Sequence, residues 1–240
     1  IIRLEKDGGA EQAEEGSEAA VLQFKLLGLQ NGEKVILAKE SDVKKMLDKI
    51  SDNEWRVISN ELGQVRKNPD SPFSTSLLQQ AGVNRLKMSA SRVMRVAQEL
   101  YEKGYITYMR TDSIHLSNQA IASVRKYIAK NYGDEYVPEK PPFYKSKAKV
   151  AQEAHEAIRP TNIAKSSSSL GITGEVARVY DLIWERTVAS QMNPAVYDQQ
   201  TIKLEVAGYV FQGTSRKVRF PGFLKVLPER DQKDNVLPVV

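Results

Sequence analysis

Cysteine is absent from the 240-residue chain, and histidine occurs only twice, as His115 and His155. The first absence excludes disulfide scaffolds, thiolate nucleophiles and Cys-ligated zinc, and the second leaves an all-histidine metal site short of ligands. No stretch approaches the roughly 20 uninterrupted apolar residues of a membrane span, and the N-terminus lacks the apolar core of a secretory signal. The expectation is a folded, soluble protein of the cytoplasm with no membrane partner. A Walker loop, a dinucleotide glycine fingerprint, paired aspartates arranged for a metal and internal repeats are all missing. What is present is 41% hydrophobic and 27% charged residues in 26.9 kDa, enough for one large domain or two ordinary ones. The chain begins with Ile1 rather than a methionine, so it reads as a piece of something longer, with its chemistry shared among other parts.

The net charge of +5 is unevenly spread. Residues 61–160 carry 16 basic and 10 acidic side chains, against 9 and 12 in residues 1–60, which suggests an anionic partner such as nucleic acid. Asp7 to Ala20 is acidic and nearly devoid of large apolar residues, so residues 1–20 read as a mobile tail and structure is expected from Val21. Asn31-Gly32 supplies the two positive-φ residues of a hairpin turn between the run around Phe24 and Leu26 and the run Val35-Ile36-Leu37. A short helix follows, with Val43, Met46, Leu47 and Ile50 on one face, then a strand over Trp55 to Leu62. Gly63 to Ser74 is a hinge candidate, after which the period changes to 3.6. Helices are expected from Ser76 to Gly82, from Ser91 with Val93, Val96, Ala97, Leu100 and Tyr101 on one face and Gly104 ending it, from Ser117 to Asn131, and from Val176 to Met192. Tyr105 to Thr111 reads as a short strand, and helix, helix, strand is a winged-helix outline. Tyr132 to Ala151 is a long connection and Lys165 to Leu170 a flexible loop. From Tyr197 the period returns to two, with Ile202, Leu204, Val206 and Val210 inward and Gly208 at a bend.

Tyr105 to Ser113 is the densest cluster of reactive groups. Residues two apart share a strand face, which sets Tyr108 beside Arg110. A phenol next to a guanidinium suits attack on a phosphodiester. An ordinary phenol titrates near pH 10, so its phenolate costs roughly 4 kcal/mol at pH 7, part of which a fixed positive charge supplies. Arginine also holds two phosphate oxygens with its fork. A tyrosine packed in a half-buried strand and an arginine paired with a carboxylate fit the same spacing. In Gln152 to Thr161 a helix would bring His155 and Arg159 together at i and i+4, either as a phosphate-handling pair or as ordinary surface residues. Gln98 and Glu102 share a helix face just before the strand, where a solvated polar face is equally consistent.

These clusters carry a resemblance. Tyr105-Ile106-Thr107-Tyr108-Met109-Arg110-Thr111-Asp112-Ser113 resembles the active-site signature of bacterial type IA DNA topoisomerases. Gln152 to Pro160 is similar to a second signature of that family, and Pro72-Phe73-Ser74-Thr75-Ser76-Leu77-Leu78-Gln79-Gln80-Ala81 to its hinge segment. The resemblance implies a multidomain α and β fold in which a β-rich arch, residues 21–67 and 195–222, holds an inserted, mainly helical, winged-helix-like domain, residues 68–194. Residues 223–240 would start the return toward the base of a torus. It implies Tyr108 as nucleophile forming a 5′-phosphotyrosyl link, Arg110 on the scissile phosphate, and His155 assisting. Thr111, Asp112, Gln98, Glu102 and Arg159 would be DNA-binding or supporting residues. The family's Mg²⁺ ligands lie in a toprim domain outside these residues, so no metal is expected on this chain and the chain alone is expected to be inactive. The implied partner is DNA, preferentially single-stranded or negatively supercoiled, handled by a monomer at the nucleoid. Ile114 departs from the pattern, which often has Thr there. A non-catalytic winged-helix module with Arg92 and Arg95 on phosphates, and the topoisomerase part of a reverse gyrase, are the alternatives.

Overall fold

The computed structural model describes residues 2–4, 22–145 and 156–228. The described residues divide into two compact units: one from those up to Val65 with Val196–Arg219, the other from those within Arg66–Ala195 and Phe220–Arg230.

The first unit is built on an antiparallel sheet. Strands β1 (Ile2–Leu4), β2 (Leu22–Leu29), β3 (Arg56–Lys67), β4 (Ala195–Val206) and β5 (Tyr209–Phe220) stand in the order β1-β2-β5-β4-β3. Helix α1 (Glu40–Ser51) contributes Met46 and Ile50 to a core with Phe24, Ile202, Leu204, Val206 and Phe211. Strands β4 and β5 are joined by Ala207 and Gly208, both at positive φ (49° and 80°), the conformation a two-residue hairpin turn demands. That turn inverts the parity of the inward face. Ile202, Leu204 and Val206 are buried as their alternation predicts, but the buried residues of β5 are Phe211, Gly213 and Ser215, while Val210 is half-exposed. Directly opposed residues of an antiparallel pair share a face, so after a two-residue loop even positions on one strand meet odd positions on the other.

Two sequence expectations fail in this unit. Gly32 does turn the chain (φ 88°), yet Val35-Ile36-Leu37 forms no strand and Ile36 is 82% exposed. Strand β2 pairs instead with β1, Ile2 opposite Phe24, and with β5, Leu29 opposite Tyr209. A strand has two hydrogen-bonding edges, and both are taken. The same pairing means that structure does not wait until Val21, because Ile2–Leu4 already lies in the sheet; residues 5–20 fall outside the described residues.

The second unit packs α2 (Thr75–Leu86), α3 (Ala90–Glu102), α4 (Asn118–Tyr132) and α5 (Gly174–Ala189). Ser89 starts α3 by accepting the Arg92 N–H at 3.3 Å, and Ser117 starts α4 by accepting the Ala120 N–H, each satisfying an otherwise unpaired donor of a first turn. Gly104 follows α3 at φ 71°. The apolar stripe Val93, Val96, Ala97 and Leu100 meets Leu78 and Ala81 of α2 and Val179, Leu182 and Ile183 of α5. Each fully buried Leu or Ile contributes about 2 kcal/mol by leaving water. Helices α2 and α3 approach closely at Gly82, where a Cβ would collide with the Val93 side chain. The Lys165–Leu170 loop, expected to be flexible, contains a 3₁₀ turn tied to α5: the Tyr180 hydroxyl donates to the Lys165 carbonyl and Ser167 Oγ to Asp181. Burial pushes the Tyr180 phenol up to about 12.

Two further segments of this unit differ from their sequence patterns. Among the described residues Tyr105 to Thr111 joins no sheet: the chain bends at Tyr105, Thr107 and Met109, and a single bridge joins Ile106 to Pro160. Glu156 to Pro160 is not helical, where a helix was expected, and Ile158 and Pro160 form bridges instead; the proline ring disfavours helical geometry at the residue before it.

Candidate active site

The loop carrying Tyr108 and Arg110 is anchored by its apolar residues and held by backbone hydrogen bonds on both sides. Ile106 and Met109 are 1% and 2% exposed and sit in the same core as Phe73 and Ile158. Between them Tyr108 stands 46% exposed, and Arg110 is exposed as well. The alternation seen in the sequence therefore sets the burial of residues 108–111, although no strand ladder supports it.

On one side the loop runs against residues 157–161. The Thr107 N–H donates to the Arg159 carbonyl at 2.9 Å, Thr107 Oγ1 donates to the Ala157 carbonyl at 2.7 Å, and the Arg159 N–H returns to Thr107 Oγ1 at 3.0 Å. Thr161 closes the end of this contact on the Tyr105 carbonyl at 3.0 Å. On the other side stands the start of α2. The Thr75 N–H donates to the Thr111 carbonyl at 2.9 Å, Thr75 Oγ1 donates to the Met109 carbonyl at 2.7 Å, and the Thr111 N–H donates to Thr75 Oγ1 at 2.9 Å. Thr111 is 6% exposed, so its own hydroxyl faces inward and accepts the Ser113 N–H.

The Tyr108 ring meets Tyr101 edge-to-face, with centroids 5.2 Å apart and planes at 65°. This contact sets the last turn of α3 beside the phenol. Gln98 and Glu102 lie on that turn, hydrogen-bonded to each other at 2.7 Å, and among the described residues neither bonds to Tyr108 or Arg110. Asp112 is exposed. The Tyr144 hydroxyl is spent on the Ser190 carbonyl and its pKa is driven up by burial. The Tyr108 hydroxyl, by contrast, makes no hydrogen bond among the described residues, and Arg110 makes no ion pair there.

Arg159 is committed. Its Nε and Nη2 donate to the two carboxylate oxygens of Glu156 at 2.8 and 2.9 Å, and Nη1 donates to the Pro160 carbonyl at 2.8 Å. Glu156 also accepts the Ser117 N–H at 2.7 Å, so the pair ties residues 156–160 to the start of α4. The expected partner at i−4, His155, lies outside the described residues. Arg92 is likewise engaged, with Glu175 at 2.7 Å, while Arg95 is exposed. Thr75, Thr107 and Glu156 escaped the sequence reading as site residues, and Tyr101, read onto the apolar face of α3, is 40% exposed and meets Tyr108 instead. Thr75 and Thr107 were visible only as members of the quoted motifs, and nothing local announced that their hydroxyls would hold main chain about 30 to 50 residues away.

Burial by itself raises the Glu156 carboxyl, but the hydrogen bonds from Arg159 and Ser117 outweigh it and hold the group below its ordinary 4.5. A depressed carboxylate stabilises the fold fully above the ordinary value and ceases to do so as pH falls through the lowered one. Urea midpoints measured between pH 7 and pH 3 are therefore expected to fall below about pH 4.5, with a smaller fall for Glu156→Gln.

A family model described as DNA topoisomerase matches residues 10–240. The chain belongs to the DNA topoisomerase family. It is 42% identical over 199 residues to the DNA topoisomerase 1 of Synechococcus elongatus, covering 82% of this chain and 22% of that protein. Against the DNA topoisomerase 1 of Haemophilus influenzae it is 39% identical over 251 residues, covering 100% of this chain and 29% of that one. The structure of full-length topoisomerase I from Thermotoga maritima matches with a TM-score of 0.72 and 31% identity, over 91% of this chain and 36% of that one. The topoisomerase relatives are thus roughly three to five times as long as the stretch they share with this chain. Among the described residues no group of three or more His, Asp or Glu side chains is placed to hold a metal ion, and no helix is long and apolar enough to cross a membrane.

Proposed function

We propose that this chain is the tyrosine-bearing part of a type IA DNA topoisomerase, in which Tyr108 attacks a phosphodiester of one DNA strand. The observation that carries the reading is the loop itself: a phenol and a guanidinium, two residues apart and both exposed, neither with a hydrogen-bond or ion-pair partner among the described residues, on a main chain pinned from both sides. In the step, the phenol proton leaves to a base, the tyrosyl oxygen bonds to phosphorus, and the bond to the 3′ oxygen breaks, that oxygen taking up a proton. Arg110 holds the non-bridging oxygens, whose charge grows in the transition state. One phosphate ester replaces another, so the break reseals by the reverse step without ATP. Passage of a strand through the gap then relaxes negative supercoils.

On this reading His155 assists at the phosphate, Thr111 and Asp112 support the loop, and Gln98 and Glu102 border it. Residues 21–67 and 195–222 form the arch, residues 68–194 the inserted domain, and residues 223–240 begin the return path. Mg²⁺ belongs to carboxylates of a toprim domain, where it would stabilise charge at the phosphate and the leaving oxygen. The substrate is single-stranded DNA exposed by underwinding, bound through backbone charge and base stacking, and the working unit is a monomer.

Mass spectrometry of the complete enzyme trapped on a single-stranded oligonucleotide and digested is expected to find the nucleotide on the peptide containing Tyr108. Attachment to another side chain would overturn the reading. The 240-residue chain alone is expected to leave negatively supercoiled plasmid unrelaxed on an agarose gel.

A further inference from the structure

Arg110 is the guanidinium of the proposed site, yet no side chain among the described residues holds it. What fixes its direction is the main chain on either side of its Cα, and both flanking peptide groups end on one hydroxyl. The peptide between Met109 and Arg110 presents its carbonyl to Thr75 Oγ1, which donates to it at 2.7 Å. The peptide between Arg110 and Thr111 presents its N–H to the same oxygen, which accepts it at 2.9 Å. A hydroxyl carries one donor hydrogen and two acceptor lone pairs, so a single oxygen satisfies both. The two dihedral angles of Arg110 are the rotations of these two peptides about its Cα. With both peptides tied to one point, the direction of the Arg110 Cβ is set. The Thr75 N–H to the Thr111 carbonyl, at 2.9 Å, locks the next peptide as well.

The donor is itself well supported. Thr75 opens α2, after Ser74, which is 5% exposed. Phe73, just before, is 1% exposed, and its carbonyl accepts the Ile158 N–H at 2.8 Å. Phe73 is also covered by the Arg186 guanidinium, 4.7 Å from its ring centre, and Arg186 in turn pairs with Asp70 at 2.6 Å. The clasp is thus mounted on the core and not on a free loop.

We infer that Thr75 is a positioning residue of this site: its hydroxyl sets the Arg110 backbone so that the guanidinium meets the scissile phosphate as Tyr108 attacks. The inference rests on the reading of Tyr108 and Arg110 given above. It concerns the chemical step and not DNA affinity, since Thr75 is half-buried under the loop and is not needed for backbone charge to hold a strand.

The test uses the complete enzyme and a labelled single-stranded oligonucleotide, scoring covalent adduct in a single turnover at saturating enzyme and affinity separately by anisotropy. Thr75→Val keeps the shape and loses both hydrogen bonds, and Thr75→Ser keeps the hydroxyl. The expected result is a 10- to 100-fold slower adduct formation for Thr75→Val, in line with the roughly 100-fold cost of about 1 Å of misplacement. Affinity should stay within about twofold, and Thr75→Ser should recover most of the rate. Should Thr75→Val fail to fold, Thr75→Ala makes the same deletion without the added methyl in the hydroxyl's place. A valine or alanine variant that forms adduct at the wild-type rate overturns the inference, as does a serine variant as slow as a folded valine variant. Tyr108→Phe in the same assay separates the two claims. Adduct persisting in that variant sinks the assignment of the nucleophile, whereas its loss together with an unaffected valine variant sinks only the role of Thr75.

Discussion

Tyr108→Phe is expected to abolish covalent capture of DNA by the complete enzyme while leaving binding of a single-stranded oligonucleotide within about twofold. The substitution removes one oxygen and nothing else. That oxygen makes no hydrogen bond among the described residues, and the ring keeps its edge-to-face contact with Tyr101. The neighbouring anchors, Ile106 and Met109, are untouched, so stability should change by less than about 0.5 kcal/mol. Phenylalanine has no group that can bond to phosphorus, and the loss is therefore complete and not graded. A denaturing gel of enzyme mixed with end-labelled oligonucleotide reads the result directly. Capture by the variant equal to that of the wild type would return Tyr108 to the status of a structural residue and favour a DNA-binding module without chemistry.

Arg159→Ala is expected to act first on stability. The guanidinium and the Glu156 carboxylate are 19% and 24% exposed, and three short hydrogen bonds radiate from the arginine. Its removal leaves a largely buried carboxylate with Ser117 as its remaining hydrogen-bond partner among the described residues, and frees the Pro160 carbonyl. Leaving one partner of a buried, hydrogen-bonded pair unmatched costs about 3 kcal/mol. Urea unfolding of the chain should show that loss, and Arg159→Met combined with Glu156→Leu should recover much of it by removing both charges together. An Arg159 that served only to touch phosphate would leave the unfolding midpoint unchanged. Because residues 157–161 also form one wall of the Tyr108 loop, adduct formation in the complete enzyme should fall with stability.

The helices of the second unit were readable residue by residue. Val93, Val96, Ala97 and Leu100 recur at the helical period and are all buried on α3, and Gly104 takes the positive φ that a helix end favours. Helix α3 starts at Ala90 in place of Ser91 and α2 at Thr75 in place of Ser76, a shift of one residue each. The same kind of reading failed for Val35-Ile36-Leu37 and for Val210. In both cases the local pattern was sound and the partner was not local: β2 found β5, some 180 residues away, and the two-residue turn at Ala207 and Gly208 shifted which positions of β5 face the core. Residues 105–111 looked like a strand because strand-like alternation and a half-buried loop clasped between two neighbours leave the same trace in a sequence. A helix over residues 152–161 would have joined His155 to Arg159 at i and i+4; His155 lies outside the described residues, and Arg159 meets Glu156 instead, on a stretch that Pro160 keeps from being helical.

The amino-acid sequence by itself determined the helical faces, the shared side of Tyr108 and Arg110 opposite Met109, and the ordered motifs that mark the family. These follow from periods of 3.6 and 2 and from side-chain type, which act within a few residues. Only the tertiary structure decided that one threonine hydroxyl grips both peptides around Arg110, that Thr107 locks onto residues 157–159, and that Arg159 is spent on Glu156. Such hydrogen bonds join main chain and side chains remote in sequence. Their geometry exists only once the helices have packed and brought the two segments to opposite sides of the loop.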